Sequence, residues 1–142
     1  MKRSSTAVWH GTGKEGSGTI TSQSKAVNNA SYAWNTRYAD EAGTNPEELI
    51  AAAHAGCFSM KLGFLLDAAG FTAEEIQTTA TVTLEENGIT QSYLKVRAKV
   101  PGMNQDRFLE CAENAKNDCP VSKALNLKII MDATIPQTAK VK

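Results

Sequence analysis

The sequence predicts an α+β fold in which antiparallel sheets surround one long buried helix, with elements in the order βββ-α-ββ-α-β. Three observations predict it. Residues 44–70, TNPEELIAAAHAGCFSMKLGFLLDAAG, are apolar almost all the way round and carry helix start and stop signals. The segments on either side alternate with period two, as half-buried strands do. Asn87-Gly88 is the residue pair that best marks a tight hairpin.

The elements follow in order. Residues 4–10 alternate Ala7 and Trp9 against Thr6, Val8 and His10 and read as a strand; Gly11 to Gly16 is a turn, and Gly18 to Ser22 a second strand hairpinned to the first. Residues 31–40, SYAWNTRYAD, read as a third strand with Tyr32, Trp34 and Thr36 on one face and Ala33, Asn35 and Arg37 on the other. Asn45 is a good helix N-cap, Pro46 suits the first helical position, and Glu48 completes a capping box. With Gly70 as its C-terminal stop, the helix would run roughly 30 Å at ~1.5 Å per residue. Ile50, Ala53, Cys57, Met60 and Phe64 form one stripe, and leucines cover much of the rest, so it reads as buried on most sides.

Beyond Gly70, Thr72 to Glu75 resembles a second capping box that would start one helical turn. Gln77 to Glu85 alternates as a strand, and the return strand turns Leu94, Val96, Ala98 and Val100 inward and Lys95, Arg97 and Lys99 outward. Asn104 caps a second helix with Phe108, Cys111, Ala112 and Ala115 on one face. Cys119-Pro120 opens a short helix through Leu125, and Leu127 to Ile135 closes the fold. Two three-stranded groups leave the apolar helix under-covered in a monomer, which points to a partner subunit as its cover.

A chain of 142 residues reads as a single domain, 1–142. Fifteen basic and fifteen acidic residues cancel, so no broad field favours nucleic acid or membrane. The N-terminal MKRSSTAVWHGTGKEG lacks an apolar core of the secretory kind, and His54, Ser59 and Lys61 interrupt the long helix as a membrane span. The expected location is cytoplasmic. Three cysteines in such a chain argue for reduced or redox-active thiols rather than a disulfide framework.

Cys111 fits a core position: it shares the apolar face of an amphipathic helix, and Glu110 and Glu113 disfavour a thiolate there. Cys57 lies mid-helix, where the macrodipole offers little, so its activation needs a cation from elsewhere. Cys119 at a helix N-terminus sits near free backbone donors, which should lower its pKa. These physical arguments alone nominate Cys119 as the nucleophile. A zinc site is disfavoured, because no Cys-x-x-Cys occurs and His10, His54, Cys57 and Cys119 would have to converge from four elements. His54 reads as a packing histidine.

The run NPEELIAAAHAGCFSM around Cys57, followed 62 residues later by CPVSKAL from Cys119, resembles the OsmC branch of the OsmC/Ohr family, osmotically inducible and organic hydroperoxide resistance proteins. Trp9, Gly11, the Gly43-Thr44-Asn45-Pro46 entry and the chain length extend the resemblance over nearly the whole sequence. It implies a thiol-dependent peroxidase, acting on organic hydroperoxides and hydrogen peroxide in stress defence, built as an intertwined homodimer, with an external thiol as reductant and no cofactor or metal. It implies that the position matching Cys57 attacks peroxide and that the one matching Cys119 resolves it into a disulfide. A low-pKa resolving thiol remains a good leaving group when a reductant later opens that bond. The family also places an arginine and a carboxylate at positions matched by Arg37 and Glu47, the carboxylate holding the guanidinium beside the attacking sulfur.

Two other readings stand beside the peroxidase: a protein that binds an apolar ligand with its cysteines merely buried, and a general thiol–disulfide oxidoreductase. One further expectation comes from helix arithmetic. Glu47 and Cys57 are ten residues apart, about 15 Å along a helix at ~1.5 Å per residue. Two helices packed antiparallel about a two-fold near Ala52 would place Glu47 of one opposite Cys57 of the other. Small residues at Ala51-Ala52-Ala53 and Ala55-Gly56 would let them approach closely.

Overall fold

The computed structural model describes residues 1–38 and 42–136. The chain divides into two compact units, Met1–Leu49 and Ile50–Lys142. Its elements are α+β in the expected mixture, with two three-stranded sheets.

In the first unit β1 (Ser5–His10), β2 (Ser17–Ser22) and β3 (Ala30–Tyr32) form an antiparallel sheet in that order. Gly18 pairs with Trp9 on one side and Tyr32 on the other, and the two rings meet across it with centroids 5.3 Å apart. A Cβ at Gly18 would run into both rings and the Val8 carbonyl, so only glycine allows this aromatic bridge.

The third strand is shorter than its alternation predicts. It stops at Tyr32, and Trp34, Thr36 and Arg37 lie instead on a one-turn helix, α1 (Trp34–Tyr38); the expected strand's last two residues fall outside those described. Thr36 supplies the reason. Its hydroxyl accepts from the Ala33 N–H at 2.8 Å and donates to the Ala33 carbonyl at 2.7 Å. A local bond of this kind offers the backbone a helical start in place of a ladder. The Asn45 side-chain amide then donates to the Thr36 carbonyl at 3.1 Å, joining this turn to the next helix.

The long helix α2 (Pro46–Ala68) begins in this unit as expected. Asn45 Oδ1 accepts from the Glu48 N–H at 2.7 Å, while the Glu48 carboxylate takes the Thr44 hydroxyl at 2.8 Å. The other end, in the second unit, closes as a Schellman motif. Gly70 has φ +91°, its N–H reaches the Asp67 carbonyl, and the Phe71 N–H reaches Leu66.

That second unit holds the core. β4 (Glu75–Glu85) and β5 (Gly88–Lys99) make the long hairpin the Asn87-Gly88 signal calls for. The expected helical turn at Thr72 is absent, because the chain there is already joining the sheet: the Glu74 N–H donates to the Lys99 carbonyl at 2.7 Å. α3 (Gln105–Asp118) and α4 (Pro120–Ala124) follow, with Asn104 Oδ1 capping α3 through the Arg107 N–H. The closing strand β6 (Lys128–Thr134) departs from the antiparallel expectation, since it pairs with β5 in parallel. Two helices between strands return the chain to the same end of the sheet, which makes a parallel neighbour the natural outcome.

The face of α2 that enters the core is also not the one periodicity marked. His54, Phe58, Leu62 and Leu66 are fully buried, against Leu94 and Val96 of β5 and Phe108, Ala112 and Ala115 of α3. Met60 and Phe64 are 67% and 65% exposed, on a face they share with exposed Ala52, Ala53 and Gly56. An evenly apolar helix gives no signal of which side its own chain will cover. By length and composition alone α2 would be long and apolar enough to span a membrane; here one of its faces is built into the core. The four-residue spacing of that face selects a stripe of three apolar side chains, each worth about 1.5–3 kcal/mol on burial.

Candidate active site

The second unit brings the two cysteine motifs together. Cys57, midway along α2, lies close enough to the thiol of Cys119, the N-cap of α4, for the two to interact, and both are free thiols. Cys119 is fully buried, its N–H donating to the Ala115 carbonyl at 2.9 Å and its carbonyl accepting from the Lys123 N–H at 3.0 Å. It therefore ends α3 and starts α4 at once.

The start of α4 does not serve Cys119 as the sequence argument expects. The Cys119 side chain makes no capping bond. Burial, and then the Cys119 thiol, push the Cys57 thiol above its ordinary value; the Val121 N–H and the Lys61 ammonium, one turn further along α2, pull it back only in part. Inside this unit Cys57 is a well-held thiol rather than a ready thiolate.

His54 lies one turn before Cys57 and is fully buried. Its Nδ1 is 2.7 Å from the Ser92 hydroxyl of β5 and its Nε2 is 2.9 Å from the Ser122 hydroxyl of α4. Burial holds its pKa below the ordinary 6.5, so the ring is neutral, donating through one nitrogen and accepting at the other. Ser92 and Ser122 were not singled out from the sequence. The available signal was symmetry of spacing: His54 precedes Cys57 by three residues, and Ser122 follows Cys119 by three.

Cys111 packs half-buried against the core; burial pushes its pKa up, with Arg107 opposing and Glu110 reinforcing the shift. This agrees with its reading as a core residue.

The first unit brings the other two candidate residues together. Arg37, at the end of α1, grips Glu47, in the first turn of α2. Nε donates to both carboxylate oxygens at 3.1 and 3.0 Å, and Nη2 to Oε2 at 2.6 Å. Glu47 is buried and Arg37 about a third exposed. The guanidinium bonds hold the Glu47 carboxyl below its usual pKa against the opposing effect of burial. Arg37 also lines a hollow of about 110 Å³ with Trp9, Tyr32, Trp34 and Pro46, and Lys14 lies over the Trp34 ring. Among the described residues no three of His, Cys, Asp and Glu gather as a metal site.

An α+β fold that holds two free thiols in contact, one on a core helix and one at a helix cap, defines a scaffold suited to reversible disulfide chemistry. The chain belongs to the OsmC-like protein family, whose sequence profile matches residues 39–133. It is 45% identical over 130 residues to the peroxiredoxin OsmC of Escherichia coli K12, covering 89% of this chain and 91% of that one. It is 32% identical over 99 residues to an organic hydroperoxide resistance protein-like 1 of Staphylococcus saprophyticus, covering 67% of this chain and 70% of that one. The fold matches the crystal structure of an OsmC-like protein from Mycoplasma pneumoniae with a TM-score of 0.75, at 18% identity, over 95% of this chain and 97% of that one.

Proposed function

We propose that this chain is a cysteine-based peroxidase that reduces hydroperoxides in the cytoplasm at the expense of an external thiol. The observation that carries the reading is the contact between the Cys57 and Cys119 thiols, in a chain 45% identical to a protein named peroxiredoxin. The Cys57 thiolate attacks the distal peroxide oxygen. The O–O bond breaks, an alcohol or water leaves with a proton, and Cys57 becomes a sulfenic acid. Cys119 then condenses with it to a disulfide, and the external thiol reduces that bond by exchange. Cys57 is assigned the attack because it is the less buried of the two, while Cys119 is fully enclosed.

The active form is a homodimer in which each site draws on both subunits. An exposed face of Ala52, Ala53, Gly56, Met60 and Phe64 supports this, as small residues allow close helix approach and the two large ones gain burial. Arg37, braced by Glu47, then serves the Cys57 of the other copy by stabilising its thiolate and polarising the peroxide. The hollow beside Arg37, walled by Trp9, Tyr32 and Trp34, suits the apolar substituent of an organic hydroperoxide.

The test is peroxide loss measured by stopped flow with an alkyl hydroperoxide and a dithiol. Cys57→Ser should abolish turnover. Cys119→Ser should still consume one equivalent of peroxide and then over-oxidise at Cys57. Full turnover by the Cys57→Ser protein would rule the assignment out.

A further inference from the structure

We propose that His54 is a positioning residue for the resolving step: with Ser122 it forms a polar latch that holds the start of α4, and so Cys119, against Cys57. This rests on the peroxidase reading above, in which Cys119 condenses with a Cys57 sulfenic acid.

The geometry carries it. Two side-chain links join α2 to α4, and they run side by side. One is the Cys57–Cys119 contact, which the reaction itself remakes. The other is the His54 Nε2 to Ser122 Oγ bond of 2.9 Å, which takes no part in the chemistry. The partners are offset alike, with His54 one turn before Cys57 and Ser122 in the first turn after Cys119. The imidazole is itself anchored to the sheet by its 2.7 Å bond to Ser92 on β5. Among the described residues no other side-chain hydrogen bond ties these elements together: the half-buried Ser59 of α2 bonds Thr78 of β4.

α4 needs such a latch because it is one turn long, five residues, with no side-chain cap at its start. A helix of that length is not stable by itself and takes its position from tertiary contacts. Attack by peroxide alters the Cys57 side of the first link, since the thiol becomes a sulfenic acid and its contact with Cys119 must be remade. The second link is untouched at that moment. Cys119 Sγ therefore stays within reach while the Cys57 S–O bond breaks and an S–S bond forms. The departing hydroxide takes up the Cys119 proton and leaves as water; the Cys57 sulfur is reduced and the Cys119 sulfur oxidised. Should Cys119 drift, a second peroxide oxidises the sulfenic acid to a sulfinic acid instead.

The two serines make the test discriminating. Ser122→Ala and Ser92→Ala each remove one hydroxyl from the same buried ring and leave one imidazole nitrogen unpaired, but only Ser122→Ala cuts the link to α4. Each protein is oxidised in a single turnover with an alkyl hydroperoxide, and sulfenic, disulfide and sulfinic forms are followed by trapping and intact mass. In the wild type, formation of the disulfide checks the underlying reading. With Ser122→Ala, Cys57 oxidation should stay near the wild-type rate, while disulfide formation slows at least about tenfold and sulfinic acid accumulates, in line with the cost of a reacting group displaced by ~1 Å. Ser92→Ala should keep both rates within about twofold, since the His54–Ser122 bond that reaches α4 and holds the reacting pair in place is left intact. Equal rates of disulfide formation in the two variants, whether both slowed or both normal, would reduce His54 to a packing residue. Absence of any Cys57–Cys119 disulfide in the wild type would instead overturn the peroxidase reading itself.

Discussion

The paired thiols and the paired charges are built in opposite ways. Cys57 and Cys119 lie in a region where burial raises the Cys57 pKa and Lys61 is the one charged side chain that acts against it. Arg37 and Glu47 form a three-bond ion pair at a surface, with the carboxylate buried and the guanidinium about a third exposed. One region holds nucleophilic atoms with little charge beside them, and the other holds charge without a nucleophile. The difference shows what activation requires. A buried thiol protects itself from stray oxidation by staying protonated, and it becomes reactive where a fixed cation meets it.

Removing the cation gives the largest effect among the variants that spare the thiols. Arg37→Ala should lower kcat/KM by about 10²–10³, the range for a lost electrostatic stabiliser of a transition state. Its pH profile should shift with it. The sign is fixed: a cation favours the thiolate, so its loss raises the Cys57 pKa and moves the rising limb of the profile to higher pH. A thiolate titration of Cys57 unmoved by Arg37→Ala would separate the two regions functionally.

Next in size is complementation. Glu47→Ala and Cys57→Ser proteins, each inactive alone, should on subunit exchange regain about a quarter of wild-type activity in a statistical mixture, one restored site in each heterodimer of a two-fold assembly. No recovery after verified exchange would mean that each chain completes its own site.

The smallest effect is on stability, and it tells the regions apart by pH. His54 and Glu47 both titrate below their ordinary values, 6.5 and 4.5, so in both cases the unfolded chain binds protons first as pH falls. Stability contributed by neutral His54 should decline as pH drops below about 6.5, and that from the Arg37–Glu47 pair only below about 4.5, each with a slope of at most ~1.4 kcal/mol per pH unit. Denaturant unfolding of His54→Gln should lack the upper window and keep the lower one; Arg37→Met should do the reverse.

Much of this architecture is legible in local sequence because its signals are local. Asn45, Gly70 and Asn104 act within one turn of their own positions, and Leu94, Val96, Ala98 and Val100 alternate along a single strand. What was not legible depends on partners far away in sequence. Nothing near Lys128 says that its strand will run parallel to β5, because the crossover decides it. Nothing in the evenly apolar α2 says that Phe58, Leu62 and Leu66 face the core rather than Met60 and Phe64. Thr36 is the exception, a local bond that overrode an alternating pattern and moved Arg37 from a strand to a helix. The expected pairing of Cys57 with Cys119 came from the family resemblance, and the bonds of His54 to Ser92 and Ser122 emerged only in three dimensions.

The central claim is that Cys57 and Cys119 are a peroxide-driven redox pair while Cys111 stays a core residue. Mass spectrometric mapping of the disulfides after one equivalent of an alkyl hydroperoxide tests it most directly. The account predicts a bridge between Cys57 and Cys119 with Cys111 still open to alkylation once the protein is unfolded. A principal disulfide that contains Cys111 would contradict it.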